Sequence, residues 1–237
     1  MRFSKFTPYL GSFGRRSMIL AMLAAGLVAC SEGETTGAGV DVDMSKPRAA
    51  AGTDFIDGHE KTELGWVKGA KDAPVTVIEY GSFTCGGCAG FHYLTEPQLV
   101  DEFVKTGYVK FEFRSFVRNE PDILATMIAE CLGPQKFEGI KNLYFSSIQK
   151  WLKSSNPNDY VAEMARKAGV SSAAFRRCVS DTEAREAITA KTQEAQKSYS
   201  DPDGYFRTPT VVIGGKKIDN GNEWEGLSKA IEGALRS

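Results

Sequence analysis

The 237-residue sequence is poor in histidine, with only His59 and His92, and among its five cysteines only Cys85 and Cys88 stand close together. A structural zinc site wants four ligands, usually Cys and His. With no second C-x-x-C, a zinc module is disfavoured. No basic block occurs outside the N-terminal segment. Removing residues 1–29 takes away Arg2, Lys5, Arg15 and Arg16 and no acidic residue, and leaves a remainder with about five net negative charges. Such a chain has no electrostatic claim on nucleic acid or anionic lipid. No uncharged apolar run reaches the ~20 residues of a spanning helix. What is present, 42% hydrophobic residues over this length, suffices for one domain with a sizeable core, or one domain carrying an insertion.

The N-terminus reads as a targeting segment. Residues 1–16 are basic and residues 17–29 are apolar and uncharged, the size of a signal-peptide core. The run ends in Leu27-Val28-Ala29-Cys30. This resembles the bacterial lipobox, in which the cysteine is lipidated and becomes the first mature residue. We therefore expect a lipoprotein signal peptide over 1–29 and a lipid on Cys30. Ser31, in place of Asp, favours the outer membrane. The other reading is an ordinary secretory signal with a stray cysteine, and Arg15-Arg16 raises a twin-arginine route, which the lack of an evident cofactor disfavours. Every version exports the domain, to the periplasm, where disulfides persist. Residues 30–64 read as a tether: flexible over 31–53, then a short loose helix over 54–64 with His59 exposed.

The chain is organised around Thr84-Cys85-Gly86-Gly87-Cys88-Ala89. Before it, Val75–Tyr80 reads as a buried strand; after it, Phe91-His92-Tyr93-Leu94 begins a helical pattern. A C-x-x-C at the mouth of a helix after a strand is a thioredoxin-type redox arrangement. The helix N-terminus favours a thiolate over a thiol, and two spacer residues let the second sulfur close onto the first. Cys85 is the expected nucleophile and Cys88 the resolving cysteine. The alternatives are half of a metal site or two inert thiols. Glu79 interrupts the buried strand, a costly place for a carboxylate. It is either an edge residue facing water or a buried acid that exchanges a proton with Cys88. His92, one turn past Cys88, reads as a packed or surface residue.

A helix is expected from Cys88 to about Lys105, kinked at Pro97 and ended by Gly107. Tyr108–Val117 alternates as a second strand, with a helix long enough for a parallel crossover. From Pro121 to about Ser198 the pattern is helical throughout, an insertion placed at about 120–198. Cys131 and Cys178 lie within it on apolar faces. They either stay as buried thiols or pair, and an exported compartment favours pairing. Arg207–Ile218 reads as two short strands around Gly214-Gly215, with Pro209 at a strand start. Residues 222–236 form a last amphipathic helix.

Taken together, these segments resemble the DsbA-like thiol:disulfide oxidoreductases. The matching stretches are Asp72–Tyr80, Phe83-Thr84-Cys85, Ala89-Gly90-Phe91-His92, Arg114-Ser115-Phe116 and Thr208-Pro209-Thr210. The resemblance covers about residues 66–236. It implies an α/β thioredoxin fold with an inserted helical subdomain, in a domain spanning 65–237. It implies a cis Pro209, with the Thr208 backbone beside Cys85 to pair with an extended substrate. It makes Glu79 the buried acid and Cys131–Cys178 a structural disulfide. No cofactor or metal is expected. The expected partners are unfolded or cysteine-containing exported proteins and a membrane redox partner, either of the DsbB type or a reductant.

The chain departs from the family's strong oxidants at one place. They carry Pro-His between the cysteines, and here the pair is Gly86-Gly87. Without that histidine, Cys85 relies on the helix dipole and backbone N–H groups, so a weaker oxidant is expected. The leading reading is a thiol oxidase, followed by a lipid-anchored reductase or isomerase, then a copper(I)-binding lipoprotein using the two thiolates.

Overall fold

The computed structural model describes residues 46, 48, 54–151 and 153–237. The expected signal peptide, Cys30, Ser31 and most of the tether lie outside the described residues. The described chain forms a six-stranded mixed sheet with helices. In chain order the strands are β1 (Phe55–Lys61), β2 (Trp66–Ala70), β3 (Val75–Gly81), β4 (Val109–Ser115), β5 (Thr210–Ile213) and β6 (Lys216–Lys217). Their spatial order is β1-β2-β4-β3-β5-β6.

The centre of the sheet is the expected strand–helix–strand unit. β3 and β4 run parallel, Val75 opposite Val109 through Gly81 opposite Ser115, and β5 closes antiparallel on the other side of β3. Val77, Phe111 and Phe113 are fully buried, as befits strands covered on both faces. The crossover is one continuous helical run: α1 (Gly86–Gly90), a π-type stretch (Phe91–Thr95), α2 (Glu96–Leu99) and a second π-type stretch (Val100–Val104). Pro97 falls in the first turn of α2. Its ring would crowd the carbonyl of Tyr93 in a regular helix, and the wider π turn just before it relieves that crowding. Gly107, with φ of 81°, takes the left-handed conformation after the run ends.

The segment 54–64 departs from expectation. It contains β1 rather than a loose helix, so the sheet begins ahead of the boundary placed at residue 65. Pairing with β2 (Phe55 opposite Ala70, Lys61 opposite Trp66) satisfies its backbone, and that long-range partner overrides a polar local sequence. His59 is buried rather than exposed. Its ring meets Phe137 edge-on, with centroids 4.9 Å apart. Burial and the nearby Lys141 charge hold its pKa far below the usual histidine value, so it stays neutral.

The insertion comprises α3 (Glu120–Leu132), α4 (Pro134–Ser146), α5 (Ile148–Trp151), α6 (Pro157–Lys167), α7 (Ser172–Val179) and α8 (Thr182–Tyr199). Side-chain oxygens of Asn119, Ser171 and Asp181 cap α3, α7 and α8. Cys131 at the end of α3 is disulfide-bonded to Cys178 in α7. The lobe docks on the sheet through aromatics: Phe137 stacks on Trp66 at 4.2 Å, and Phe83 meets Tyr144 and Phe145. After it, Gly214 and Gly215, with φ of 56° and 76°, turn the β5–β6 hairpin as two left-handed residues should. The last helix, α9 (Trp224–Leu235), buries Leu227 and Ile231.

Candidate active site

Cys85 and Cys88 sit where β3 hands over to α1. Gly81 ends the strand because nothing larger fits: a Cβ there would lie 2.5 Å from the Phe113 ring and 2.9 Å from Glu79 Oε1. Cys85 is the extended residue that precedes α1, with φ of −104° and ψ of 120°, and its carbonyl accepts from the Ala89 N–H at 3.1 Å. Cys88 is one turn in. Both are free thiols. Cys85 keeps 6% of its surface exposed and Cys88 none, so only the first sulfur is presented outward.

The Thr208-Pro209 loop faces them. The Thr208–Pro209 peptide is cis, and the Cys85 thiol donates to the Thr208 carbonyl at 3.2 Å. The Ser82 N–H donates to Cys88 Sγ at 3.4 Å. Gly87 is the spacer residue nearest the loop. A Cβ on it would stand 3.2 Å from Pro209 Cδ, whereas one on Gly86 would meet nothing.

The two sulfurs are driven in opposite directions. The Cys85 pKa is lowered to about 5, first by the hydrogen bond from the Cys88 thiol, then by the Thr208 side chain, the Cys88 N–H and the positive charge of Arg118, which together outweigh burial. Cys88 is pushed well above the usual thiol value by burial, by its bond to Cys85 and by the negative charge of Glu79. Glu79 is itself buried, and its Oε1 has no hydrogen-bond partner. Burial and the Glu96 carboxylate raise its pKa well above the ordinary value. Of the alternatives for Glu79, the buried position is the one adopted.

A second layer was not legible in the sequence. Asp122, fully buried at the start of α3, accepts from Ser82 Oγ at 2.6 Å, the Phe83 N–H at 2.9 Å and the Arg118 N–H at 3.0 Å. Burial raises its pKa to about 6 against those bonds. Asn119 and Asp122 stand at the start of α3, and nothing local in the sequence says that they reach across to residues 82–84.

Beneath α1 and α2 lies a buried charge cluster. Glu96 Oε1 is 2.6 Å from Lys68 Nζ and 2.8 Å from Lys141 Nζ, and Glu96 Oε2 is 2.7 Å from His92 Nδ1. His92 is thus packed, with Asn142 Oδ1 at 2.6 Å on its other nitrogen. Among the described residues, His92, Glu96 and Glu138 bring ligand atoms within 4.8 Å of one another. The Lys141 ammonium, also 3.6 Å from Glu138 Oε2, already occupies the cation's place between those carboxylates.

The structure therefore brings together Glu79, Cys85, Cys88, Thr208 and Pro209. It leaves Cys131 and Cys178 apart, in the insertion, bonded to each other.

Comparison with known proteins bears on the family and the fold. A family model described as thioredoxin matches residues 61–233. A Rickettsia bellii protein provisionally named a protein-disulfide oxidoreductase is 26% identical over 174 residues, covering 73% of this chain and 65% of its own length. The chain thus spans just under two thirds of that curated relative. Among solved structures, a protein-disulfide isomerase from Novosphingobium aromaticivorans superposes with a TM-score of 0.63 at 24% identity, covering 77% of this chain and 100% of its own. Wolbachia pipientis alpha-DsbA1 superposes with a TM-score of 0.59 at 23% identity, covering 71% and 89%. The fold is the thioredoxin fold with a helical insertion.

Proposed function

This chain belongs to the thioredoxin family, and we propose that it is a thiol:disulfide oxidoreductase of the cell envelope that oxidises substrate thiols through Cys85 and Cys88. The observation that carries the reading is the opposed proton affinity of the two sulfurs: an outward Cys85 with a pKa of about 5 and a buried Cys88 raised well above the usual value.

The cycle starts from the Cys85–Cys88 disulfide. A client thiolate attacks Cys85 Sγ, forming a mixed disulfide and expelling Cys88 as a thiolate. Cys88 is buried and has a high proton affinity, so it takes a proton at once; Glu79, whose proton affinity is raised too, can relay it within the same buried site. A second client thiolate then attacks the client's own sulfur. The client gains a disulfide, Cys85 leaves as a stable thiolate, and the enzyme holds the two electrons. The client strand lies along Thr208, whose neighbour Pro209 offers no N–H of its own. A DsbB-type membrane partner reoxidises the pair.

The direction follows from thiolate stability. A reduced form held as a stable thiolate makes its disulfide an oxidant. A value near 5 falls between about 7 for thioredoxin and about 3.5 for a strong oxidant, which fits Gly86-Gly87 and an oxidant of middle strength. Complete burial of Cys88 disfavours the copper reading, since a metal bridging the two sulfurs must reach it. The N-terminal features support export with a lipid on Cys30 and a polar tether, which is poor material for an isomerase's dimerisation segment.

The deciding measurement is the reduction potential, by equilibration with glutathione buffers and thiol alkylation. A value well above about −270 mV and towards about −120 mV supports the oxidase. A value at the thioredoxin end makes this a reductase. Labelling with a radioactive fatty acid, lost in Cys30→Ala, tests the anchor.

A further inference from the structure

Gly86 and Gly87 bring no side chain to Cys85, yet a cation reaches the Thr208 loop that faces it. Arg118, in the loop between β4 and α3, donates from Nη1 to Thr208 Oγ1 at 3.4 Å. The carbonyl of that same Thr208 receives the Cys85 thiol at 3.2 Å.

An exposed arginine on a loop would ordinarily sample many rotamers. Here its backbone is tied down. Its N–H donates to Asp122 Oδ2, the oxygen that also takes Ser82 Oγ, while Oδ1 takes the Phe83 N–H. The adjacent Asn119 adds a second tie, donating to Thr84 Oγ1 at 3.1 Å and accepting from the Asp122 N–H at 3.1 Å. Residues 82–84, which lead into Cys85, and residues 118–119 are thus tied together through Asp122 and Asn119. Among the described residues Arg118 has no carboxylate in ion-pair range, and Glu120, the acid nearest in sequence and the first residue of α3, is held through both oxygens by Arg185 of α8 at 2.9 and 2.7 Å. Its charge is left for the sulfur.

We infer that Arg118 is the cation that stabilises the Cys85 thiolate in place of the absent spacer histidine, and that Asp122 is the positioning residue that holds it there. The inference rests on the oxidoreductase reading of the site, and it names what sets that site's poise.

The test separates position from charge. Asp122, with a pKa of about 6, gains most of its charge above the pH at which Cys85 titrates. If it acted only through its charge, Asp122→Asn would leave the Cys85 pKa unchanged or lower it. If it positions Arg118, Asp122→Asn raises it, because an amide cannot accept on both sides: its N–H₂ would face either the Phe83 or the Arg118 N–H. The full chain is reduced and its thiolate followed by ultraviolet absorbance across pH, at low and high salt.

Arg118→Gln should raise the Cys85 pKa by about one unit, a tenfold fall in the thiolate-to-thiol ratio. Arg118→Lys should recover part of this, and high salt should shrink the difference. Asp122→Asn should move the pKa the same way, and the double variant no further than Arg118→Gln alone, since the two act through one contact. Should Asp122→Asn fail to fold, Asn119→Ala, which cuts the tie to Thr84 without changing charge, should raise the pKa in the parent and not in the Arg118→Gln background.

An unchanged pKa in Arg118→Gln overturns the proposal, as does an unchanged or lowered pKa in Asp122→Asn or additivity of the two changes. These titrations need no client. A parent chain that fails to oxidise clients while showing these shifts would sink the oxidase reading and leave this inference standing.

Discussion

The Cys85 thiol and the Thr208 carbonyl are hydrogen-bonded at 3.2 Å although 123 residues separate them in the chain. The whole helical insertion lies between them in sequence, and β5 brings them together by pairing with β3, Tyr80 opposite Thr210. The reactive sulfur therefore faces a strand-like segment that an extended peptide can join.

The first prediction concerns reactivity. In the reduced protein one thiol should alkylate fast, with a rate that follows thiolate formation and is half-maximal near the value of about 5 for Cys85. Above that pH the rate should be flat, and Cys88 should react only on unfolding. Mass spectrometry after pulses of iodoacetamide at stepped pH reads this out. A rate still climbing through the ordinary thiol range would contradict it.

Second, Cys88→Ser removes the sulfur that would resolve a mixed disulfide. The variant should accumulate disulfide-linked adducts with exported cysteine-containing proteins, visible as reducible bands on non-reducing gels. Cys85→Ser should show none. Adducts in equal amount with both variants would mean that Cys85 is not the attacking position.

The third prediction follows from Glu79. Its proton affinity is higher in the folded than in the unfolded chain, so above about pH 4.3 the folded state keeps a proton that the unfolded state releases. Stability then falls as pH rises from there, by linkage. Glu79→Gln lacks that slope. Whatever constant offset the amide brings, urea melts should shift in the variant's favour as pH climbs, while its client oxidation slows for want of the exchangeable proton. A stability gap that stays constant with pH would show that Glu79 does not titrate late.

Fourth, the Cys131–Cys178 bond closes a loop across a sequence separation of 47. Loop-closure entropy gives about 4 kcal/mol for a loop of that size. The double Cys→Ser variant should lose stability of that order and keep the Cys85–Cys88 potential, because the bridge lies outside the active site. A changed potential would contradict the separation of the two disulfides.

What was legible in the sequence was what local pattern encodes. The β3 run, the C-x-x-C at a helix mouth, the glycine turn at 214–215 and the capped helices of the insertion all have short-range signals, and they are where the sequence places them. β1 and β2 were missed for a physical reason. Asp57, Gly58 and Glu60 make β1 polar, and only pairing with β2 holds it as a strand. His59 was misplaced with it, since its burial comes from Phe137. Asp122, Arg118, Glu96 and Lys141 carry no local signal, because their partners lie far along the chain: Asp122 meets Ser82, and Lys141 meets Glu96.

The last of these pairings governs how the molecule comes apart. Lys141 belongs to the insertion and Glu96 to the helix that carries Cys88, and both are buried. Pulling the two lobes apart would break the Lys141–Glu96 pair and open the Phe137–Trp66 and Phe83–Tyr144 contacts to water. A half-open state with an intact sheet and a detached insertion is thereby penalised. The chain that reads as a domain plus an insert should melt as one cooperative unit, with probes in either lobe giving a single coincident transition.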